Sequence, residues 1–80
     1  MKFQIIIQND FGKFKGQVIE ADEERFNNIK EASTTFYLTG FEMTLEDGNF
    51  IVIPPIIVQR SILTINIIFH RFSPFVSFII

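Results

Sequence analysis

The sequence predicts a mainly β protein, a small, strongly bent five-stranded barrel with one short helix. Three observations carry that reading. Apolar and polar residues alternate with period two through several segments, as they do in half-buried strands. Turn-forming residues, Asn9-Asp10-Phe11-Gly12 and Asp47-Gly48, separate such segments where a hairpin must reverse. Apolar parity then switches at Gly40, which calls for a bulge or a sharp bend of the kind small barrels use.

Taken in order, Lys2–Gln8 places Phe3, Ile5 and Ile7 on one face and Lys2, Gln4 and Gln8 on the other. Ile6 is the one exception. After the Asn9–Gly12 turn, Lys13–Glu20 alternates again, with Phe14, Gly16 and Val18 opposing Lys13, Lys15 and Gln17, so the two segments form a hairpin. Asp22–Ser33 reads as the short helix. Asp22 is its cap, Glu23 and Glu24 suit the first turn, and Phe26, Ile29 and Ala32 make one apolar stripe. A loop leading into a short strand is the competing reading there. Phe36–Glu46 reads as a long strand bent at Gly40, and Asp47-Gly48 as a two-residue type I′ turn. Phe50–Ile53 is apolar on both faces, hence a buried strand, and Pro54-Pro55 stops it. Ile56–Arg60 is a tight turn. Ser61–Phe69 is the last strand, with Leu63, Ile65, Ile67 and Phe69 opposing Thr64, Asn66 and His70.

Eighty residues make a single domain, 1–80, of which 69–80 form an apolar C-terminal tail. Apolar residues are 48% of the chain and include eleven Phe, more than so small a monomer readily hides. There is no cysteine, so no disulfide or thiolate site stabilises the fold. Residues 1–48 hold 14 of the 16 charges; residues 49–80 hold only Arg60 and Arg71 but half of the apolar side chains. That surplus predicts self-association. A net charge of −2 argues against a broadly cationic nucleic-acid binder. Asn66, His70, Arg71 and Pro74 interrupt the last apolar stretch, so a membrane span is not expected and a cytoplasmic protein is.

Catalysis has little to work with. His70 is the one histidine and reads as a polar position near a strand end, with no nucleophile elbow to serve. Asp22, Glu23 and Glu24 read as a solvated helix start, so no catalytic residue, metal site or cofactor is expected. The cations are more informative. Lys13 and Lys15 share a strand face, and Arg25 is followed by Phe26, Asn27 and Asn28. A cation, an aromatic plane and amides can hold a single-stranded base by phosphate contact, stacking and edge hydrogen bonds. A solvated hairpin beside a core Phe is the plainer account of the same residues.

A bent five-stranded barrel with a tight turn before its last strand resembles the Sm-like (LSm) proteins, within the SH3-like barrels. Phe14-Lys15-Gly16-Gln17-Val18 is similar to that family's second strand, and Asp22 follows Gly16 at the family's Gly-to-Asp spacing. Phe26 stands where an Asn belongs, with Asn27 and Asn28 just after it. Phe50–Ile53, the turn and Ser61–Ile67 match the closing strand–turn–strand unit. The family's opening helix is absent before the first strand, and Pro54-Pro55 replaces the Arg-Gly dipeptide of the closing turn. The stretch between Asn28 and the closing unit is longer than the family's. The resemblance implies a homo-oligomeric ring built through edge strands. It also implies single-stranded RNA or DNA binding by Asp22, Phe26, Asn27 and Asn28, with Lys13, Lys15 and Arg25 as phosphate contacts. The alternative is an SH3-like module that holds a protein partner on an edge strand or in an apolar groove.

Overall fold

The computed structural model describes residues 1–69, so His70 and the rest of the tail after residue 69 lie outside the described residues. Lys2–Asn9 (β1) and Gly12–Lys15 (β2) form the expected hairpin, with Ile7 opposite Phe14 and Gln8 opposite Lys13. Asn9 closes the turn by accepting the Phe11 N–H on Oδ1 at 2.8 Å. Ile19–Glu20 (β3) continues the row of β2 along the same edge of β1, opposite Lys2 and Phe3. Ile62–Phe69 (β6) pairs with the opposite edge of β1 over Lys2–Gln8. Phe41–Thr44 (β4) and Phe50–Ile53 (β5) form a second antiparallel sheet.

Gly16 is where the two sheets meet. Its N–H reaches Ile5 O at 2.9 Å, while Gln17 N–H reaches Thr44 O at 3.0 Å and Glu46 N–H reaches Lys15 O at 3.1 Å. A side chain would be crowded there: a Cβ on Gly16 would lie 3.0 Å from Met43 Sδ and 3.1 Å from Ile5 O. The row breaks at this close approach, so the expected single second strand becomes two. The result, among the described residues, is six strands in two antiparallel sheets rather than a five-stranded barrel. Among the described residues no ladder joins β5 to β6, and the sheet is not closed.

Among the described residues, three helical segments replace the expected one. Glu23–Ser33 (α1) forms as predicted, with Asp22 Oδ1 accepting the Arg25 N–H at 2.8 Å as its cap. Phe36–Thr39 (α2), read from the sequence as strand, is a helical turn ended by Gly40 at φ +80°. In an extended strand Phe36 and Phe41 would be about 16 Å apart, yet their rings stack at 4.5 Å between centroids. The alternation of Phe36 and Leu38 was therefore coincidental, and Gly40 is a helix end rather than a bulge. Pro55–Val58 (α3) replaces the tight turn. Pro54 caps it and Pro55 supplies a first-turn residue that has no N–H to satisfy.

The hairpin turn also differs. Gly48, at φ +90°, is the sole residue of the Leu45–Asn49 reversal with positive φ, whereas a type I′ turn needs two. Gly48 N–H bonds Leu45 O at 2.9 Å, and Asp47 Oδ1 holds the Asn49 N–H at 2.9 Å. This is a longer turn completed by one left-handed residue.

The core is what the first strand predicts. Phe3, Ile5 and Ile7 are buried, with Phe26 of α1, Ile53 of β5 and Ile65 of β6. Phe3 and Phe26 meet edge to face, 4.9 Å between centroids. Among the described residues no helix is long and apolar enough to cross a membrane.

Candidate nucleic-acid interface

Register decides where the predicted cations lie. Lys15 is opposite Ile6 and Lys13 opposite Gln8, while Gln8, Ile6 and Gln4 are opposite Ile62, Thr64 and Asn66 of β6. Side chains at these positions share one face of the sheet. Phe3, Ile5 and Ile7 point to the other face, where Phe26 packs, so α1 covers the side away from Lys13 and Lys15. Both lysines are exposed.

The sequence-predicted cluster is therefore divided between two faces. Arg25, Asn27 and Asn28 are exposed on α1, apart from the lysine face. Asp22 is committed to its cap through Oδ1. Phe26 is 5% exposed and its ring is engaged by Phe3, so it offers no plane to an incoming base. The plainer reading of Phe26, a core side chain, is what the packing gives. What remains for a phosphate backbone is the lysine face: two lysines whose Cα atoms are about 7 Å apart along a strand, beside hydrogen-bonding Gln8, Thr64 and Asn66. Phosphate contacts position a nucleic acid without reading its sequence. Among the described residues, no group of three or more His, Cys, Asp or Glu comes together to hold a metal ion.

Three features were not anticipated. Gln4, placed by parity on the polar face, is 8% exposed, and its Nε2 donates to Gly16 O at 3.1 Å and Glu46 Oε2 at 2.9 Å. A cavity of about 390 Å³ lies between α1 and β4, walled by Ile29, Phe36, Phe41 and Met43 with Gln17, Glu42 and Thr44 at its polar positions. A second groove of about 340 Å³ runs between the β1–β2 hairpin and β5, lined by Phe11, Phe14, Ile51, Val52, Pro54 and Ile57. Phe11, Val52 and Ile56 are 74%, 67% and 66% exposed. The apolar excess was visible in the composition. Its place beside β5 was not, because it depends on which side of β5 stays unpaired.

Comparison with protein-family models, curated proteins and solved structures finds no match to this chain.

Proposed function

We propose that this chain is a small Sm-like β-module that binds single-stranded RNA or DNA as a homo-oligomer. The observation that carries the reading is the lysine face, where Lys13 and Lys15 stand exposed beside amide and hydroxyl side chains. Among the described residues the order of main-chain contacts, β6–β1–β2/β3–β4–β5, supports a barrel-like arrangement with one unpaired edge at each end. Binding on this face is backbone-directed and weak in sequence preference, since it offers cations and hydrogen bonds but no aromatic platform. Oligomerisation multiplies two cations per chain into a continuous track. The reading assigns no catalytic residue, metal or cofactor.

The test is anisotropy of a labelled single-stranded oligonucleotide across a salt series. Two phosphate contacts per chain give a log–log salt slope of roughly −1.4 per bound subunit. Absence of binding at low salt would remove the proposal.

A second reading, an SH3-like interaction module, has its own observation. The groove beside β5 is apolar, open and next to a strand edge that is unpaired among the described residues, the setting in which an extended segment adds to a sheet.

A further inference from the structure

Among the described residues, β5 is hydrogen-bonded on one side alone, to β4. Leu45 N–H donates to Asn49 O at 2.7 Å, so Leu45–Asn49 lies at a hydrogen-bonded position of the hairpin. Antiparallel pairs alternate, which makes Met43–Ile51 and Phe41–Ile53 hydrogen-bonded and Thr44–Phe50 and Glu42–Val52 not. A separate bond agrees: Thr44 O faces away from β5, because it accepts the Gln17 N–H at 3.0 Å. The N–H and C=O of Phe50 and Val52 consequently point out along the free edge. These two residues also carry the exposed side chains of the strand, at 60% and 67%.

This edge is complementary to itself. In an antiparallel contact, outward groups must face outward groups. Placing Phe50 opposite a second copy's Val52, and Val52 opposite its Phe50, satisfies all four N–H and C=O pairs. Ile51 then sits on the two-fold axis, facing its own copy. Sliding the register by two residues brings Phe50 opposite Pro54, which has no N–H, or Val52 opposite Gly48, which lies in the turn. Sliding by one residue sets outward groups against inward ones. No charged residue occurs from Gly48 to Gln59, so two copies approach without like-charge repulsion. Nor does β5 carry the lysine or proline with which natural edge strands repel a partner.

We propose that β5 pairs with β5 of a second copy across a two-fold axis through Ile51, giving a continuous β4–β5–β5–β4 sheet. The contact is isologous, and it deepens the interaction-module reading by naming the partner as this chain itself. It does not require nucleic acid. It differs from the ring that the sequence resemblance implies, in which an edge meets a different edge.

The chain has no native cysteine, so a single introduced thiol reports this register cleanly. Full-length Ile51→Cys is oxidised beside Val52→Cys, whose thiols would be displaced from the axis. Non-hydrogen-bonded partners bring Cβ atoms within disulfide reach, so Ile51→Cys should convert mostly to a covalent dimer, at least tenfold faster than Val52→Cys. Unmodified protein should scatter light as twice its 9.3 kDa chain mass. Val52→Lys and Val52→Pro should shift it to monomer with unchanged far-UV circular dichroism; neither breaks a hydrogen bond to β4. A monomer at 100 μM, a higher closed ring, or equal cross-linking rates would each overturn the pairing. Oligonucleotide binding by the lysine face is read separately, in the salt series, so failure of the pairing and failure of the nucleic-acid reading are distinguishable.

Discussion

Gln4 Nε2 donates to Glu46 Oε2 at 2.9 Å, joining the central strand of one sheet to the hairpin loop of the other. The same amide donates to Gly16 O at 3.1 Å, at the point where the row of β2 and β3 breaks. One side chain thus satisfies a carbonyl that the strand ladder has abandoned.

Replacing Gln4 with Leu keeps most of its volume but leaves the Gly16 carbonyl without that donor. A buried group left unsatisfied costs about 1–3 kcal/mol. Urea denaturation should show a lower midpoint at unchanged slope. A variant as stable as the parent would mean that water replaces the amide at no cost.

The glycines should rank by geometry. A Cβ at Gly40 combines φ +80° with a 2.9 Å approach to Ile53 O, and at Gly48 it meets nothing within 4 Å despite φ +90°. Gly48→Ala should cost about 1–2 kcal/mol from backbone strain. Gly40→Ala should cost more, because strain and a backbone clash add. Equal thermal midpoints for the two would contradict this ranking.

On α1, position separates core from surface. Phe26→Ala removes the ring that packs on Phe3 and should cost about 3–5 kcal/mol. Asp22→Ala loses the helix cap, about 1 kcal/mol, while Asn27→Ala and Asn28→Ala should stay within about 0.5 kcal/mol. Differential scanning calorimetry of the four variants reads the order directly.

Binding should follow the sheet face and not the helix. Lys13→Gln with Lys15→Gln should weaken oligonucleotide affinity at least tenfold and flatten its salt dependence. Arg25→Gln, on the other side of the sheet, should change it less than twofold. The reverse order in an anisotropy titration would relocate the interface to α1.

Much of the fold was legible where one physical signal acted alone. The period-two pattern of Phe3, Ile5 and Ile7 located the core face, and Asp22 followed by two glutamates located the helix start. Legibility failed where distant contacts decided the outcome. Phe36 alternates with Leu38 as a strand would, but its stacking partner lies on the far side of Gly40. Gln4 looked solvated because nothing local announces Gly16 and Glu46 as its partners. The proposed nucleic-acid cluster was divided for the same reason. Residues 13–28 are close in sequence, yet strand register sends the lysines to one face and helix packing sends Phe26 to the other.

The place of β1 has a bearing on how the molecule is made. It is made well before its longest partner, β6, which ends at Phe69, and it pairs with more strands than any other. Pairings of such sequence separation fold slowly, because loop closure must precede the contacts that reward it. Until residue 69 has been synthesised, one edge of β1 remains without its partner, and the buried face of that strand is Phe3, Ile5 and Ile7. From the emergence of β1 until β6 follows, the nascent chain therefore holds its stickiest strand half-paired, the kind of open edge and apolar surface that chaperones shield.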